Sequence, residues 1–362
     1  MVITLCGDVS VTQTNRHLWD NADASSAFGS VCDLFHSSDR VIVNLECALT
    51  EADTAIRKFG PNLKGPAKVA NILKDAGVTD CGLSNNHIYD FSKPGLDDTL
   101  EALDKAGLTY TGIGVNEEDS RRDLVIEQDG KTVRIITVCE HEYSYAMPDF
   151  VGARPYDPYD TAADIREAKA NADYVVVMYH GGKEHCRYPS PRLRKLCQAM
   201  LTEGADLVLC QHSHCIGCVE EFKAGTIVYG QGNFHFIYPE MARGRAWNEG
   251  LAVRVDLTGK PQIELIPVVV KEPGIDLATG AEKEEILSGV WERSKDLYNG
   301  KWLEHWHEFC VSMEEQYKNS IAGFAKSGEM DIALFAHYLD CEAHTDVWRE
   351  LYPTFHKAKI SQ

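Results

Sequence analysis

The chain is short of positive charge and of long apolar runs. Its 362 residues carry 36 Lys and Arg against 55 Asp and Glu, a formal net charge of −19. Such a surface repels phosphate backbones at long range, which argues against a nucleic-acid partner unless a local cation reverses the field. No apolar run approaches the roughly 20 residues that cross a bilayer. The N-terminus also lacks the basic segment followed by a long apolar region that marks export. These absences predict a cytoplasmic protein with no membrane span. Disulfide spacing is missing too. The chain has 12 cysteines, but Cys6, Cys81, Cys139 and Cys210 are scattered through expected strands and helices, as reduced core thiols would be. Apolar residues are not scarce: at 44% hydrophobic content the chain can bury a large core. The composition fits one large domain over 1–272 and a helical extension over 273–362.

The stretch that organises the chain runs from Gly204 to Gly217. Leu207 to Cys210 is a short apolar run of the kind that forms a buried strand, and it gives way to His212-Ser213-His214. A tight turn can swing both imidazoles of His-x-His toward one point, and neutral imidazole is a common ligand for divalent ions. An isolated His-x-His is more often a pair of polar loop residues. Here, however, other strand-like runs end in plausible ligands as well.

Val2 to Cys6 runs into Gly7-Asp8-Val9, which places Asp8 at the carboxyl end of a first strand, where open α/β sheets put their ligands. Ala24 to His36 has the apolar spacing of one helix. Arg40 to Asn44 reads as a second strand, followed by Leu45 and Glu46. Pro66 suits the first position of a helix that Gly77 closes. Thr79 to Leu83 then delivers Asn85, Asn86 and His87, with Asp90 ahead of a helix from about Lys93 to Ala106. Repeated strand, ligand and helix units imply β-α-β crossovers with the site residues at one sheet edge.

Leu124 to Glu127 and Thr132 to Val138 flank Asp129-Gly130, a pair suited to a tight hairpin turn. The second arm ends in Cys139-Glu140-His141-Glu142, polar residues that either line the site or are solvated. Tyr174 to Met178 is an apolar strand leading to His180. After Gly230-Gln231-Gly232-Asn233-Phe234, the segments Leu251 to Leu257 and Gln262 to Val270 alternate as closing strands of a second sheet. Beyond Pro273 no strand run appears, and 282–297, 302–324 and 330–339 have helical apolar spacing. Trp302, His305 and Trp306 form an aromatic patch there, and His337, Cys341 and His344 match no familiar zinc spacing.

Asp8, Asn44, Glu46, Asn86, His87, His180, His212 and His214 therefore come from separate strand ends. They make an oxygen and nitrogen set without sulfur, the kind that holds two divalent ions about 3.5 to 4 Å apart. Gly7-Asp8-Val9, Asn44-Leu45-Glu46, Asn85-Asn86-His87 with Asp90, His180-x-Gly-x-Glu184, His212-x-His214 and Gly232-Asn233-Phe234 resemble, in order and spacing, the capsule-synthesis CapA family. That family, also described as poly-gamma-glutamate biosynthesis proteins, is similar to calcineurin-like metallophosphoesterases. The resemblance covers roughly residues 1–270 and leaves the helical extension outside it.

The resemblance implies a bacterial α/β protein built as a four-layer α/β/β/α sandwich of metallophosphatase type with a C-terminal helical appendage. It implies a pair of divalent ions, Mn2+, Fe2+ or Zn2+, with Asp8 and His214 on one ion, Asn86, His180 and His212 on the other, and Glu46 as the bridge. Asp8 and His87 are the implied catalytic residues, His87 as the acid that assists the leaving group. Two departures stand out. The usual Asp-x-His opening is Asp8-Val9-Ser10, and Glu46 replaces a bridging aspartate, so the first ion has fewer nitrogen ligands. The implied activity is that of a metal-dependent hydrolase, a phosphoesterase in which hydroxide held between the ions attacks phosphorus. The alternative is a capsule or poly-gamma-glutamate biosynthesis protein that binds or processes a carboxylate polymer. The expected partner is accordingly a small anionic substrate or an acidic polymer.

Overall fold

The computed structural model describes residues 1–21, 23–140, 143–325 and 329–352. Two sheets carry the architecture. In the first, the order is Gly274–Leu277, Gln262–Lys271, Glu249–Asp256, Val2–Val9, Arg40–Leu45, Asp80–Gly82 and Thr109–Thr111, with Asn233–His235 also paired to Val2–Val9. In the second it is Val219–Phe222, Gly225–Val228, Leu207–Gln211, Tyr174–His180, Lys131–Cys139 and Leu124–Gln128. The central strands of each sheet are parallel. Crossover connections therefore place all their carboxyl ends on one side.

The side-chain period of two sorts these strands into layers. Ile135, Val176 and Met178 face the first sheet's Ile3, Leu5 and Ile42 across one core. The alternate residues Ile136, Val175 and Val177 instead pack against helices Pro158–Asn171 and Pro191–Glu203. On the far side, Val41 and Val43 meet Phe28, Phe35, Leu73 and Leu103 of the first sheet's helices. The result is a four-layer α/β/β/α sandwich.

Several elements differ from the sequence expectation. The helix expected over 24–36 is two, Ala24–Phe28 and Val31–His36, because Gly29 turns the backbone to φ 48. Strand Val2–Val9 continues through Asp8 and shifts its register between Leu5 and Asp8, so Asp8 lies within the strand. Glu249–Asp256 joins the first sheet antiparallel to Val2–Val9, and Gln262–Lys271 pairs antiparallel with Glu249–Asp256 beyond it, where the sequence suggested a second sheet. Both faces of Glu249–Asp256 are buried, with Ala252 in one core and Val253 in the other, so alternation alone cannot choose the sheet. A strand also follows the expected division near Pro273: Gly274–Leu277 pairs with Gln262–Lys271. The helices begin at Gly280 and include Glu342–Leu351, which the sequence reading did not pick out. The Asp129-Gly130 hairpin forms as expected, both residues having positive φ, 54 and 71.

Candidate metal centre

The carboxyl ends of the parallel strands in both sheets meet in one buried cluster. Asp8 and Glu46 come from the first sheet, Asn86 and His87 from the loop after Asp80–Gly82, His180 from the end of Tyr174–His180, and His212 and His214 from the turn after Leu207–Gln211. All seven side chains are buried, Asp8 and Glu46 completely. His212 and His214 have φ of 75 and 51. Such values are unfavourable for residues with a Cβ and persist where the surroundings enforce them, which is common at functional sites. That turn aims both rings back toward the sheet edge.

The potential ligand atoms fall into two groups that share one carboxylate. Glu46, His180 and His212 form the first, Asp8, Glu46 and His214 the second, with the atoms of each group within 4.8 Å of one another. His180 Nε2 lies 3.4 Å from Glu46 Oε1 and 3.0 Å from Asn86 Oδ1. His212 Nδ1 lies 3.2 Å from the same nitrogen. On the other side His214 Nδ1 is 3.8 Å from Asp8 Oδ2.

A second tier of contacts fixes these side chains. Asn44 Nδ2 donates to Asp8 Oδ1 at 2.7 Å, and the backbone N–H of His212 donates to Asp8 Oδ2 at 3.1 Å. Asn85 Nδ2 donates to Asn44 Oδ1 and to the Leu45 carbonyl. Asn233 Oδ1 accepts from His214 Nδ1 at 2.9 Å, and Trp247 packs on the His214 ring with centroids 4.4 Å apart. Ser10, which stands where the Asp-x-His pattern has histidine, donates its hydroxyl to the Glu46 carbonyl at 2.9 Å.

Electrostatics match a site built around cations. Burial, together with the neighbouring Glu46 charge, pushes the Asp8 carboxyl up to about 7, against the opposing pull of His180 and Asn44. Burial and the adjacent His212 hold His214 well below the ordinary histidine range, so its ring is neutral and able to ligate. The donor set of carboxylate, amide oxygen and imidazole, without thiolate, is compatible with a divalent metal ion.

His87 lies beside these groups in an arrangement the sequence reading captured only in part. Its backbone N–H donates to Asn85 Oδ1, and its Nδ1 is 2.7 Å from Asp90 Oδ2. Lys58 Nζ donates to Asp90 Oδ1 at 2.6 Å and to the Asn86 carbonyl at 3.1 Å. Lys58 carries no sequence signal, since it comes from an irregular segment 32 residues before Asp90 with no motif around it. Glu140 does not line the centre: Oε2 accepts from the Gly182 N–H at 2.7 Å and Oε1 pairs with Arg192. His141 and Glu142 lie outside the described residues.

The helical extension reaches the rim of this cluster. His337 packs against Phe59, next to Lys58, with the rings tilted and their centroids 5.1 Å apart. Asp346 accepts from Arg192 Nε at 2.9 Å and from Ser190 at 2.6 Å. Trp306, Cys310, Tyr317 and Val347 share a core with Cys186, from the loop after His180. Trp302 instead joins the core beneath helix Pro191–Glu203.

Two ligand groups sharing a carboxylate, at the strand ends of a four-layer sandwich, define an α/β protein whose centre is compatible with divalent metal. The chain belongs to the bacterial capsule synthesis protein PGA_cap family, whose model matches residues 2–238. It is 30% identical over 333 residues to the capsule biosynthesis protein CapA of Bacillus anthracis, covering 85% of this chain and 79% of that protein. It is also 30% identical over 239 residues to the PGA biosynthesis protein CapA of Bacillus subtilis (strain 168), covering 64% of this chain and 62% of the relative. Among solved structures, a hypothetical protein from Thermus thermophilus aligns with 17% identity and a TM-score of 0.46, covering 74% of this chain and 98% of that one. A 5'-nucleotidase from Candida albicans aligns with 12% identity and a TM-score of 0.44, covering 82% and 58%. Among the described residues no helix is long and apolar enough to cross a membrane.

Proposed function

We propose that the protein is a metal-dependent hydrolase acting on an anionic substrate, with phosphoester hydrolysis as the reaction its centre supports best. The observation that carries this reading is Glu46, common to both ligand groups. Glu46 would bridge, Asp8 and His214 would hold one ion, and Asn86, His180 and His212 the other. Divalent ions held there would supply Lewis acidity, lowering the pKa of water and neutralising phosphoryl oxygens.

The remaining steps belong to the chain's own groups. Asp90 accepts the Nδ1 proton of His87, which leaves Nε2 as the position that takes up a proton and passes it to a departing alkoxide. Lys58, paired with Asp90, holds that carboxylate in place. Asn44 and the His212 backbone N–H hold Asp8 in one orientation, so its geometry is set before substrate arrives.

A second reading is favoured by the relatives' names, which refer to capsule and PGA biosynthesis. On that reading the same centre binds or processes a polymer of carboxylates. Assaying the Mn2+-loaded protein on p-nitrophenyl phosphate, bis-p-nitrophenyl phosphate and poly-gamma-glutamate separates the two. Phosphoester turnover abolished by chelation supports the first. Binding or shortening of the polymer without phosphoester turnover supports the second, and a protein inert toward all three overturns both.

A further inference from the structure

We propose that Arg187 and Arg293 form a second binding site, an oxyanion pocket separate from the metal centre that takes a carboxylate or phosphate group. Both arginines line a cavity of about 420 Å3 between helix Gly280–Asn299 and the loops that follow the metal-site strands. The pocket is built from the same loops as the metal centre. Arg187 lies in the loop that follows His180, Ile216 comes two residues after His214, and Ala246 directly precedes Trp247, whose ring packs on His214.

Charge is the first argument. The chain carries 19 more acidic than basic residues, so an arginine has many carboxylates to pair with. Even so, among the described residues neither Arg187 nor Arg293 has an ion-pair partner. Arg293 spends only its Nε, which donates to the Gly217 carbonyl at 3.1 Å. The acids on the same walls do not supply the missing charge. Glu249 and Glu285 are paired with Arg245, at 2.7 and 3.1 Å, and Glu292 is exposed. Burial, and after it the neighbouring Arg187, hold the Arg293 guanidinium below its ordinary pKa. A planar guanidinium fork matches carboxylate and phosphate oxygens in two-point contact.

Space is the second argument. Gly289 sits in the middle of a 20-residue helix, where glycine weakens the helix relative to alanine. A Cβ at that position would stand 3.1 Å from Arg293 Nη1. The missing side chain leaves room for the guanidinium to lie against the helix and face the cavity.

The test is a titration of the full-length protein with glutarate and, separately, with inorganic phosphate, followed by melting temperature and calorimetry at low and raised salt. Arg187→Gln, Arg293→Gln, Gly289→Ala and His212→Ala are run beside the wild type. The pocket predicts saturable, salt-sensitive binding of at least one probe, weakened about tenfold or more by either arginine change, since hydrogen bonds to charged groups are at stake. His212→Ala should retain that binding, which separates this pocket from anion capture at the metal centre. Without ligand, Arg187→Gln and Gly289→Ala should melt at or above the wild-type temperature, because one removes a like-charge contact and the other strengthens the helix. Response to glutarate alone identifies a carboxylate ligand, to phosphate alone a phosphoryl ligand, and to both an unselective oxyanion site. The proposal is overturned by no binding of either probe, by binding that survives both arginine changes or is lost only in His212→Ala, or by Arg187→Gln melting below the wild type.

Discussion

The sandwich and the helical extension bury polar groups in opposite ways. In the sandwich, Asp8, Glu46, His180, His212 and His214 converge, and two carboxylates are buried beside one another, an arrangement that costs stability until a cation arrives. In the extension the buried acid Asp346 already has its cation, Arg192, and a hydroxyl from Ser190. The difference separates a region whose buried polar residues form a donor set compatible with a metal ion from one where a buried acid pairs with a cation and a hydroxyl. On the proposed function the first would carry the chemistry, and the second, reaching the rim through His337 and Phe59, would cover it.

Metal removal tests the first half of that comparison and has the largest expected effect. The purified protein should carry about two divalent ions per chain, or one where the nitrogen absent at Ser10 leaves the Asp8 and His214 side too weak. Elemental analysis counts them. His212→Ala should lose metal by more than the roughly 10- to 100-fold that changes behind metal ligands produce. Its melting temperature should fall in step, because bound metal stabilises the native state by mass action, about 3 kcal/mol at 100 times the dissociation constant. Wild-type metal content in that variant would remove His212 from the ligand set.

His87 should behave differently. His87→Ala should keep its metal and melting temperature and lose turnover by roughly 10² to 10⁴, least on substrates with good leaving groups. Asp90→Asn should shift the pH profile of turnover, because the amide no longer fixes the Nδ1 proton. Equal losses on p-nitrophenyl and alkyl phosphoesters would argue against a proton-donor role for His87.

Acid sensitivity probes the sandwich behind its metal centre. His235 is fully buried against Trp19 and Phe28, and burial pushes it down to about 4. Between about pH 4 and 6.5 the unfolded chain binds this proton and the native state does not, so stability rises with pH across that window and is lost as pH falls. Full development of the shift amounts to about 3 kcal/mol. Urea unfolding at neutral pH and near the lower end of that window should show His235→Gln losing less stability on acidification than the wild type. An equal loss in both would place the acid sensitivity elsewhere.

How much could be read from the chain follows the same division. Asp8, Glu46, Asn86, His87, His180, His212 and His214 each lie within a few residues of an apolar run, so local pattern locates them, and parallel crossovers bring the ends together. Lys58 could not be found that way, because what makes it important is a contact with Asp90 across 32 residues. The sheet joined by Glu249–Asp256 was equally illegible, since a strand buried on both faces looks the same in either sheet. The extension's helices were visible as apolar spacing, but their docking depends on pairs such as Arg192 and Asp346, 154 residues apart.

Loosening the extension should have the smallest effect, and it decides what the extension is for. Asp346→Ala removes the acceptor shared by Arg192 and Ser190 while leaving Arg192 its contact with Glu140. Hydrogen bonds to charged groups are worth about 1.5 to 3 kcal/mol, so the helices should stay folded but open more often. Hydrogen exchange should quicken over Trp302–Ala325 and Glu342–Leu351 and stay unchanged in Tyr174–His180 and Leu207–Gln211. His337 reaches the rim through Phe59, so a cover should also restrict which substrates enter. The variant should therefore gain activity on bulky substrates relative to small ones, with metal content and oligomeric mass unaltered. A change in oligomeric mass with unchanged substrate preference would instead make the extension an association module whose nearness to the rim is incidental.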